Sequence, residues 1–269
     1  MSVKRHIAPV IALLMVLLFP CLILAADTYQ VPRTRSGVPD LQGVWQAYGT
    51  AAWNLEDHAA SYQLPAGRSV VVGAEIPYQP WARKQRDENF RQRRDRDPVG
   101  QCYMAGVPRI TTMPFPLQIF QGDNYVVMLS EYVHTTRYIP TDGRAHMQDV
   151  EFWMGDSRGH WEGDTLVVDV TNFTDQTWFD ASGNFHSGKL HVVESYTRIA
   201  RDVIKYQVSI EDPKVFTRPW NIETTLQLRE EPGLQLLEYA CYAYAGEEGF
   251  GRLGSDPVNR RGTVNDKNK

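Results

Sequence analysis

Short apolar runs, many of them alternating with polar residues, follow one another along the second half of the chain. A side-chain period of two within such runs is typical of β-strands. Turn residues such as Asp142-Gly143 and Asp212-Pro213 separate the runs and favour hairpins. The pattern predicts strands over Leu117–Gln121, Tyr125–Tyr132, Thr135–Ile139, Gly159–Glu162, Thr165–Thr171, Leu190–Ile199, Val203–Ile210, Ile222–Arg229 and Leu234–Cys241.

The short turns also set the arrangement of these strands. A parallel connection needs about a dozen residues or more, so strands joined by tight turns pair antiparallel. A further strand is predicted at Asp40–Trp45. The sequence therefore predicts a mostly β protein, an antiparallel barrel or sandwich. Of these we favour an up-and-down barrel of about eight to ten strands.

One segment ahead of these strands has helical character. Residues 81–95 contain no glycine or proline, are rich in Arg, Lys, Gln and Glu, and are flanked by prolines. This composition predicts one helix on the N-terminal side of the domain. Its basic cluster, Arg91, Arg93 and Arg94, is interpreted as a solvated face.

The start of the chain has the order of a secretory signal. A basic beginning precedes an apolar run from Ile7 to Leu24, and the small pair Ala25-Ala26 closes it. This order predicts a cleavable signal peptide over residues 1–26. A retained membrane anchor and lipidation at Cys21 are the alternatives, and the proline directly before that cysteine argues against both.

Processing would leave a secreted or periplasmic protein with no membrane span. We predict a single β-barrel domain over residues 27–245 and a flexible polar tail over 246–269. The sequence carries 28 basic and 32 acidic residues, a formal charge of −4. Loss of Lys4 and Arg5 with the signal leaves 26 basic residues against 32 acidic ones, a charge of −6. This balance argues against nucleic acid as a partner.

Two cysteines remain after the predicted processing, Cys102 and Cys241. An even pair in an exported chain predicts a disulfide that ties a strap around Cys102 to the last strand. The alternative is two unpaired thiols buried as small apolar groups.

Candidate chemistry concentrates in the long connection over residues 172–189 and the strand that follows. The predicted catalytic residues are two histidines with carboxylates around them, namely His186, His191, Asp180, Glu194 and Asp169. Histidine exchanges protons near neutral pH, and a carboxylate partner fixes its tautomer. Because the side-chain period of a strand is two, His191 and Glu194 should point to opposite faces.

Two other interpretations of this segment stay open. In the first, His186, His191 and Glu194 are metal ligands. In the second, His186 satisfies loop carbonyls and a carboxylate caps a turn. We assign no metal ligand, and the sequence indicates no particular cofactor. Ser157, between Gly155 and Gly159, lacks the strand-to-helix context of a nucleophile elbow.

A second set of residues is predicted to bind a ligand at the barrel mouth. It comprises three tryptophans and three polar residues of one hairpin, namely Trp153, Trp161, Trp178, Glu131, His134 and Arg137. A polar lumen would result if Glu131, Arg137, Asp169 and His191 faced inward. In the alternative, this set faces water.

Eight motifs follow one another along the chain, namely Cys102 with Gly-Val-Pro-Arg109, Trp153–Arg158, Trp161–Asp169, Thr177–Asp180, His186-Ser187, Leu190–Glu194, Asp212-Pro-Lys and Thr217–Trp220. Together they resemble a large family of exported bacterial proteins without an assigned activity. The resemblance covers about residues 38–245 and implies an exported β-rich domain. An arginine is common in that family at the positions of His160 and Ser195. The start Asp40–Trp45 also resembles the Gly-x-Trp start of lipocalin-like barrels.

Three classes of function remain compatible with these observations. The first is a module that binds a small, aromatic or sugar-like molecule in the barrel mouth. The second is an acid–base enzyme without an organic cofactor, a lyase, isomerase or hydrolase. The third is a structural or interaction protein of the cell envelope.

Overall fold

A computed structural model describes residues 29–61 and 64–244 of the chain. The predicted signal peptide and the predicted tail lie outside these described residues. The strands are β1 Gly43–Ala47, β2 Leu117–Gly122, β3 Tyr125–Ser130, β4 Thr136–Pro140, β5 Asp156–Glu162, β6 Thr165–Thr171, β7 His191–Ala200, β8 Val203–Glu211 and β9 Trp220–Arg229. The helices are α1 Pro80–Arg96, α2 Arg109–Thr112 and α3 Cys241–Tyr244, with a 3₁₀ turn at Val99–Gln101.

All nine strands form one antiparallel sheet in the order β4-β3-β2-β1-β9-β8-β7-β6-β5. The predictions of a mostly β, antiparallel protein and of the strand number are therefore confirmed. The predicted closure into a barrel is not observed, because no backbone pairing joins β4 to β5 in the described ranges. Alternation along the strands places apolar residues on one face, where Trp45, Trp220 and Tyr206 are fully buried.

The two edge strands run in the same direction. Eight successive antiparallel pairings separate β4 from β5, and each pairing reverses the direction of the chain. A parallel return requires a long connection, which explains the extended segment between Pro140 and Asp156.

Side chains bring these edges together at a line that we call the seam. Arg137 Nε in β4 donates to Ser157 Oγ in β5 at 2.9 Å. At Gly159 in β5, an added Cβ would lie only 2.9 Å from Ile139 Cγ2 in β4. Glycine therefore permits the close approach of β5 to β4 at this position.

The helix prediction is confirmed by α1. Pro80 occupies its first turn, where a missing N–H breaks no helical hydrogen bond. Basic residues fill its last turn, where they complement the helix dipole. Asn89 on its buried side donates through Nδ2 to the Gly183 carbonyl at 3.1 Å. The helix thereby packs on the long 172–189 connection.

The predicted strand over Leu234–Cys241 is wrong. The chain leaves the sheet after β9, and its backbone finds other partners: Leu237 N–H donates to Glu131 Oε2 at 2.8 Å, and the Val133 N–H donates to the Tyr239 carbonyl at 3.1 Å. These contacts direct the segment toward Cys102 rather than along a neighbouring strand.

The predicted disulfide between Cys102 and Cys241 is present, with Cα atoms 5.4 Å apart. It joins the residue after the 3₁₀ turn to α3, and not to the last strand as predicted. In the described ranges, no helix has the length and apolar character needed to cross a membrane.

Candidate functional site

One cavity among the described residues, which we call the helix cavity, has a volume of about 600 Å³. It lies beside the C-terminal end of α1 and the 3₁₀ turn. Its aromatic walls are Trp53, Phe115, Tyr132 and Tyr239, and its charged residues are Arg93, Arg94, Asp97 and Arg109. Cavities of this size, mostly apolar with a few polar groups, are typical of small-molecule sites.

Three rings form a packed aromatic cluster in the wall of the helix cavity. The Phe115 ring lies 4.7 Å from that of Tyr239 and 5.5 Å from that of Tyr132 between ring centroids. The Tyr132 hydroxyl lies 2.9 Å from the Val99 carbonyl and 3.0 Å from the Tyr103 carbonyl. These contacts fix the ring, and burial raises the pKa of Tyr132, so it stays neutral and apolar toward the cavity.

A buried ion pair forms the polar part of the helix cavity. Arg109 Nη1 and Nη2 donate to the two oxygens of Asp97 at 2.6 and 2.7 Å. Burial lowers the pKa of Arg109, but the Asp97 charge and hydrogen bonds outweigh burial and raise it. The Nε of Arg109 is buried and has no hydrogen-bond partner among the described residues.

The end of α1 contributes two further arginines to the helix cavity. Arg93 and Arg94 line it, whereas Arg91 is exposed and pairs with Glu88 on the outside of the helix. Arg91 and Arg94 are exposed, as the interpretation of a solvated face expects, and Arg93 is partly buried.

The predicted catalytic residues fall into separate surroundings. His186 is 2 % exposed. Its Nε2 lies 2.7 Å from Thr177 Oγ1, and its Nδ1 lies 3.0 Å from the Ser187 carbonyl. The Phe173 and Phe179 rings flank it at 5.8 and 5.1 Å. These contacts match the capping alternative for His186.

Asp180 is buried inside the same 172–189 connection and holds it by hydrogen bonds. Its carboxylate accepts hydrogen bonds from the backbone N–H groups of Leu55, Ser182 and Asn184, and from the Asn184 side chain. Burial raises the pKa of Asp180 to about 6, although the bonds from Asn184 and Leu55 lower it. The residue is fully buried, so it holds the loop rather than facing a ligand.

We expect His186→Gln to lower the free energy of unfolding by about 1–3 kcal/mol at pH 7.5, since a buried hydrogen-bonded group is replaced. Burial lowers the pKa of His186 in the folded protein. The unfolded chain therefore takes up the proton first, near pH 6.5. Stability from His186 is present above about pH 6.5 and is lost as pH falls through the lower folded value.

Urea unfolding at pH 7.5 and 5.5 checks this expectation. His186→Gln should lose less stability on acidification than the unchanged protein. The control is His160→Gln, since His160 is exposed and pairs only with Glu162. Equal losses in His186→Gln and the unchanged protein would contradict the expectation.

His191 and Asp169 are brought together, as predicted, but on the outer face of the sheet. His191 Nε2 lies 2.7 Å from Asp169 Oδ2. The other oxygen, Oδ1, lies 2.8 Å from His146 Nε2, and His146 Nδ1 lies 3.1 Å from Asp156 Oδ2. Partial burial raises the pKa of Asp169, but the hydrogen bonds from His191 and His146 outweigh it and lower the pKa.

Glu194 points to the opposite face from His191, as the strand period predicts. It is fully buried and forms an ion pair with Arg137. The hydroxyls of Tyr196 and Tyr206 donate to its Oε1 at 2.8 and 2.6 Å. Burial lowers the pKa of Arg137, but the Glu194 charge outweighs this and raises it. Glu194 thus belongs to an ionic network under the seam and has no contact with His191.

The predicted ligand-binding residues are also dispersed. Trp153 and Arg137 line a second cavity of about 420 Å³ at the seam, where the Trp153 ring stacks on Tyr103 at 5.1 Å. Glu131 accepts a hydrogen bond from the Leu237 N–H. His134 is exposed in a turn, where its φ is 52°. The two remaining members are partly buried and line neither cavity, namely Trp161 and Trp178.

The four residues considered for a polar lumen do not share one face. Arg137 faces inward, whereas Asp169 and His191 face outward and Glu131 lies at a turn. Within the described ranges, no group of three or more histidine, cysteine or acidic side chains is arranged to hold a metal ion.

Sequence reasoning missed the residues of the helix cavity and also missed His146. Asp97 and Arg109 are separated by 12 positions and meet only through the turns between them. The one available signal was local: Asp97 and Arg109 each adjoin a proline in a rigid segment.

No protein-family model matches this chain, and neither the curated proteins nor the solved structures contain a match. The resemblance to the exported bacterial family and the lipocalin-like start therefore remain predictions. Only the geometry and chemistry of the site bear on the function.

Proposed function

We propose that this protein is an exported binding protein that takes a small, flat molecule into the helix cavity. The observation that carries the proposal is the cavity itself, about 600 Å³ with an aromatic wall and a few charged groups. Flat rings gain free energy by offset or edge contacts with aromatic side chains. An aromatic compound fits these walls best, and the apolar face of a sugar ring is the alternative occupant.

The preformed wall supports binding rather than simple core packing. Tyr132 is held by two carbonyl contacts, and the disulfide residue Cys241 borders the same cavity. A wall that is already ordered loses little conformational entropy when a ligand enters. The helix cavity thus has the pre-organisation expected of a binding site.

An acid–base enzyme is the second candidate, and one observation favours it. Asp169 joins two imidazoles, those of His146 and His191, on a partly exposed face. Such an arrangement suits proton transfer. None of the three residues lines the helix cavity or the cavity at the seam, although Asp156, which contacts His146, lines the latter. Loss of turnover in His191→Gln, with unchanged ligand binding in the helix cavity, would favour it.

We expect Gly100→Trp to abolish ligand binding without unfolding the protein. Gly100 is exposed at the edge of the helix cavity. A Cβ added there would meet only Asp97 Cβ, at an ordinary 3.9 Å. The indole can therefore occupy the cavity mouth, and the free energy of unfolding should change by less than about 0.5 kcal/mol.

A thermal-shift screen of aromatic compounds and sugars, followed by calorimetric titration of the hits, measures this effect. The matched control is Gly49→Trp, because an added Cβ at Gly49 has nothing within 4 Å and Gly49 does not line the helix cavity. A hit that binds Gly100→Trp and the unchanged protein equally well would place the ligand elsewhere and overturn the proposal.

A further inference from the structure

The charges around the helix cavity point to the class of its ligand. We propose that the ligand is an aromatic carboxylate, with its ring against the aromatic wall and its charge met by the arginines at the end of α1. This inference rests on the proposed function, because it concerns the same cavity. It adds the sign of the ligand charge, which the cavity volume and the aromatic wall leave open.

The balance of charge at the cavity is positive in a protein that is negative as a whole. Three arginines and one aspartate line the cavity, a formal charge of +2. Helix α1 carries seven basic and three acidic residues, a formal charge of +4, whereas the whole sequence carries −4. A local field of this sign concentrates anions at the cavity mouth and repels cations.

The single carboxylate of the cavity is already neutralised. Both oxygens of Asp97 accept hydrogen bonds from Arg109, and Oδ1 also accepts the Val99 N–H at 3.1 Å. Asp97 therefore has little capacity left to attract a cationic ligand. The positive charge of the exposed Arg94 remains at the mouth.

The two mouth arginines differ in how they are held. The Arg93 guanidinium lies over the Phe90 ring at 4.1 Å and donates to the Phe90 carbonyl at 2.8 Å. Arg94 is exposed, and no ion pair joins it to an acidic residue in the described part of the chain. Arg94 can therefore turn toward a bound carboxylate at little energetic cost, and a guanidinium matches the geometry of a carboxylate.

The charged side chains at the cavity are mostly donors, three arginines against one aspartate. Arg109 is 3 % exposed, lines the cavity, and keeps one buried N–H, at Nε, without an acceptor among the described residues. The Nε atom has almost no accessible surface, so Arg94, and not Arg109 Nε, is the donor that a carboxylate in the cavity can reach. Carboxylate oxygens are acceptors only, whereas an amide or ammonium group brings donors into the same space.

Three aromatic probes of similar size separate the contribution of ligand charge to affinity from the contribution of the ring. Calorimetric titration is carried out with benzoate, benzamide and benzylammonium on the protein without its predicted signal peptide. We expect benzoate to bind roughly tenfold or more tightly than benzamide, as a charge-assisted hydrogen bond predicts, and benzylammonium to bind weakest. Added salt should weaken benzoate binding and leave benzamide binding nearly unchanged.

Arg94→Gln tests the residue assignment, and Arg91→Gln is its control. Both residues are exposed arginines on α1, but only Arg94 lines the helix cavity. Arg94→Gln should remove most of the advantage of benzoate over benzamide, whereas Arg91→Gln should retain it. An equal loss in both variants would show a general effect of helix charge and overturn the role of Arg94.

The outcomes also separate this inference from the proposed function. Benzamide binding as tightly as benzoate, with binding blocked by Gly100→Trp, would overturn the anion class and leave the cavity as a binding site. If no probe and no compound from the screen responds to Gly100→Trp, both proposals are wrong.

Discussion

Replacing Arg137 by methionine is expected to lower the free energy of unfolding by about 3–5 kcal/mol. The change leaves the Glu194 carboxylate fully buried without its ionic partner. It also removes the hydrogen bond from Arg137 Nε to Ser157 across the seam. A buried charge without a partner is one of the largest single sources of instability in a folded protein.

A double variant distinguishes the loss of the charge pair from loss of packing. Glu194→Gln keeps a carbonyl oxygen to accept from the Tyr196 and Tyr206 hydroxyls while removing the charge. Arg137→Met combined with Glu194→Gln should therefore recover much of the stability lost in Arg137→Met alone. Urea unfolding monitored by circular dichroism gives the free energies.

The surface pair of Arg201 and Glu230 supplies the matched control. Its side chains are 72 % and 50 % exposed, so Arg201→Met should change stability by less than about 0.5 kcal/mol. The expectation for Arg137 fails if Arg137→Met is as stable as Arg201→Met, or if the double variant is less stable than Arg137→Met.

Removal of the disulfide is expected to have an effect of similar size and to reach the helix cavity. Cys102 and Cys241 are separated by 139 positions. In the chain-entropy model, opening a loop of this length lowers stability by up to ~5 kcal/mol. Because Tyr239 and Cys241 both line the helix cavity, ligand binding should weaken together with stability.

Unfolding with and without reductant, and of the double variant Cys102→Ser with Cys241→Ser, tests this effect. Reductant should destabilise the unchanged protein and leave the double variant unaffected. Intact mass after alkylation reports the state of the two thiols. Two alkylated cysteines in protein taken from the periplasm without reductant would show that the bridge does not form there.

Features carried by local pattern were predictable from the sequence. The predicted strand Thr165–Thr171 coincides with β6, because alternation and a Glu-Gly-Asp turn act over a few residues. Helix α1 follows from a stretch without glycine between two prolines. The disulfide followed from counting the cysteines left after processing, independent of any fold.

Features set by distant contacts were not predictable in this way. The segment Leu234–Cys241 has strand-like residues, but Glu131, Val133 and Cys102 decide its path. The sequence placed His191 beside Asp169, since neighbouring strands carry them, but gave no sign of His146 from the β4–β5 connection. The helix cavity combines α1, the 3₁₀ turn, the turn after β3 and the final segment, and no short window contains that combination.

The direction of the edge strands has a consequence for how this sheet can vary. Parity decides the direction: an odd number of strands in an antiparallel meander leaves both edges running the same way. Insertion or deletion of a hairpin changes the count by two and preserves that parity. Only the gain or loss of a single strand would make the two edge strands antiparallel, so that they could pair with each other by backbone hydrogen bonds. The seam thus persists when a hairpin is inserted or deleted. Separation of β4 from β5 along the seam breaks side-chain contacts but no pairing between strands.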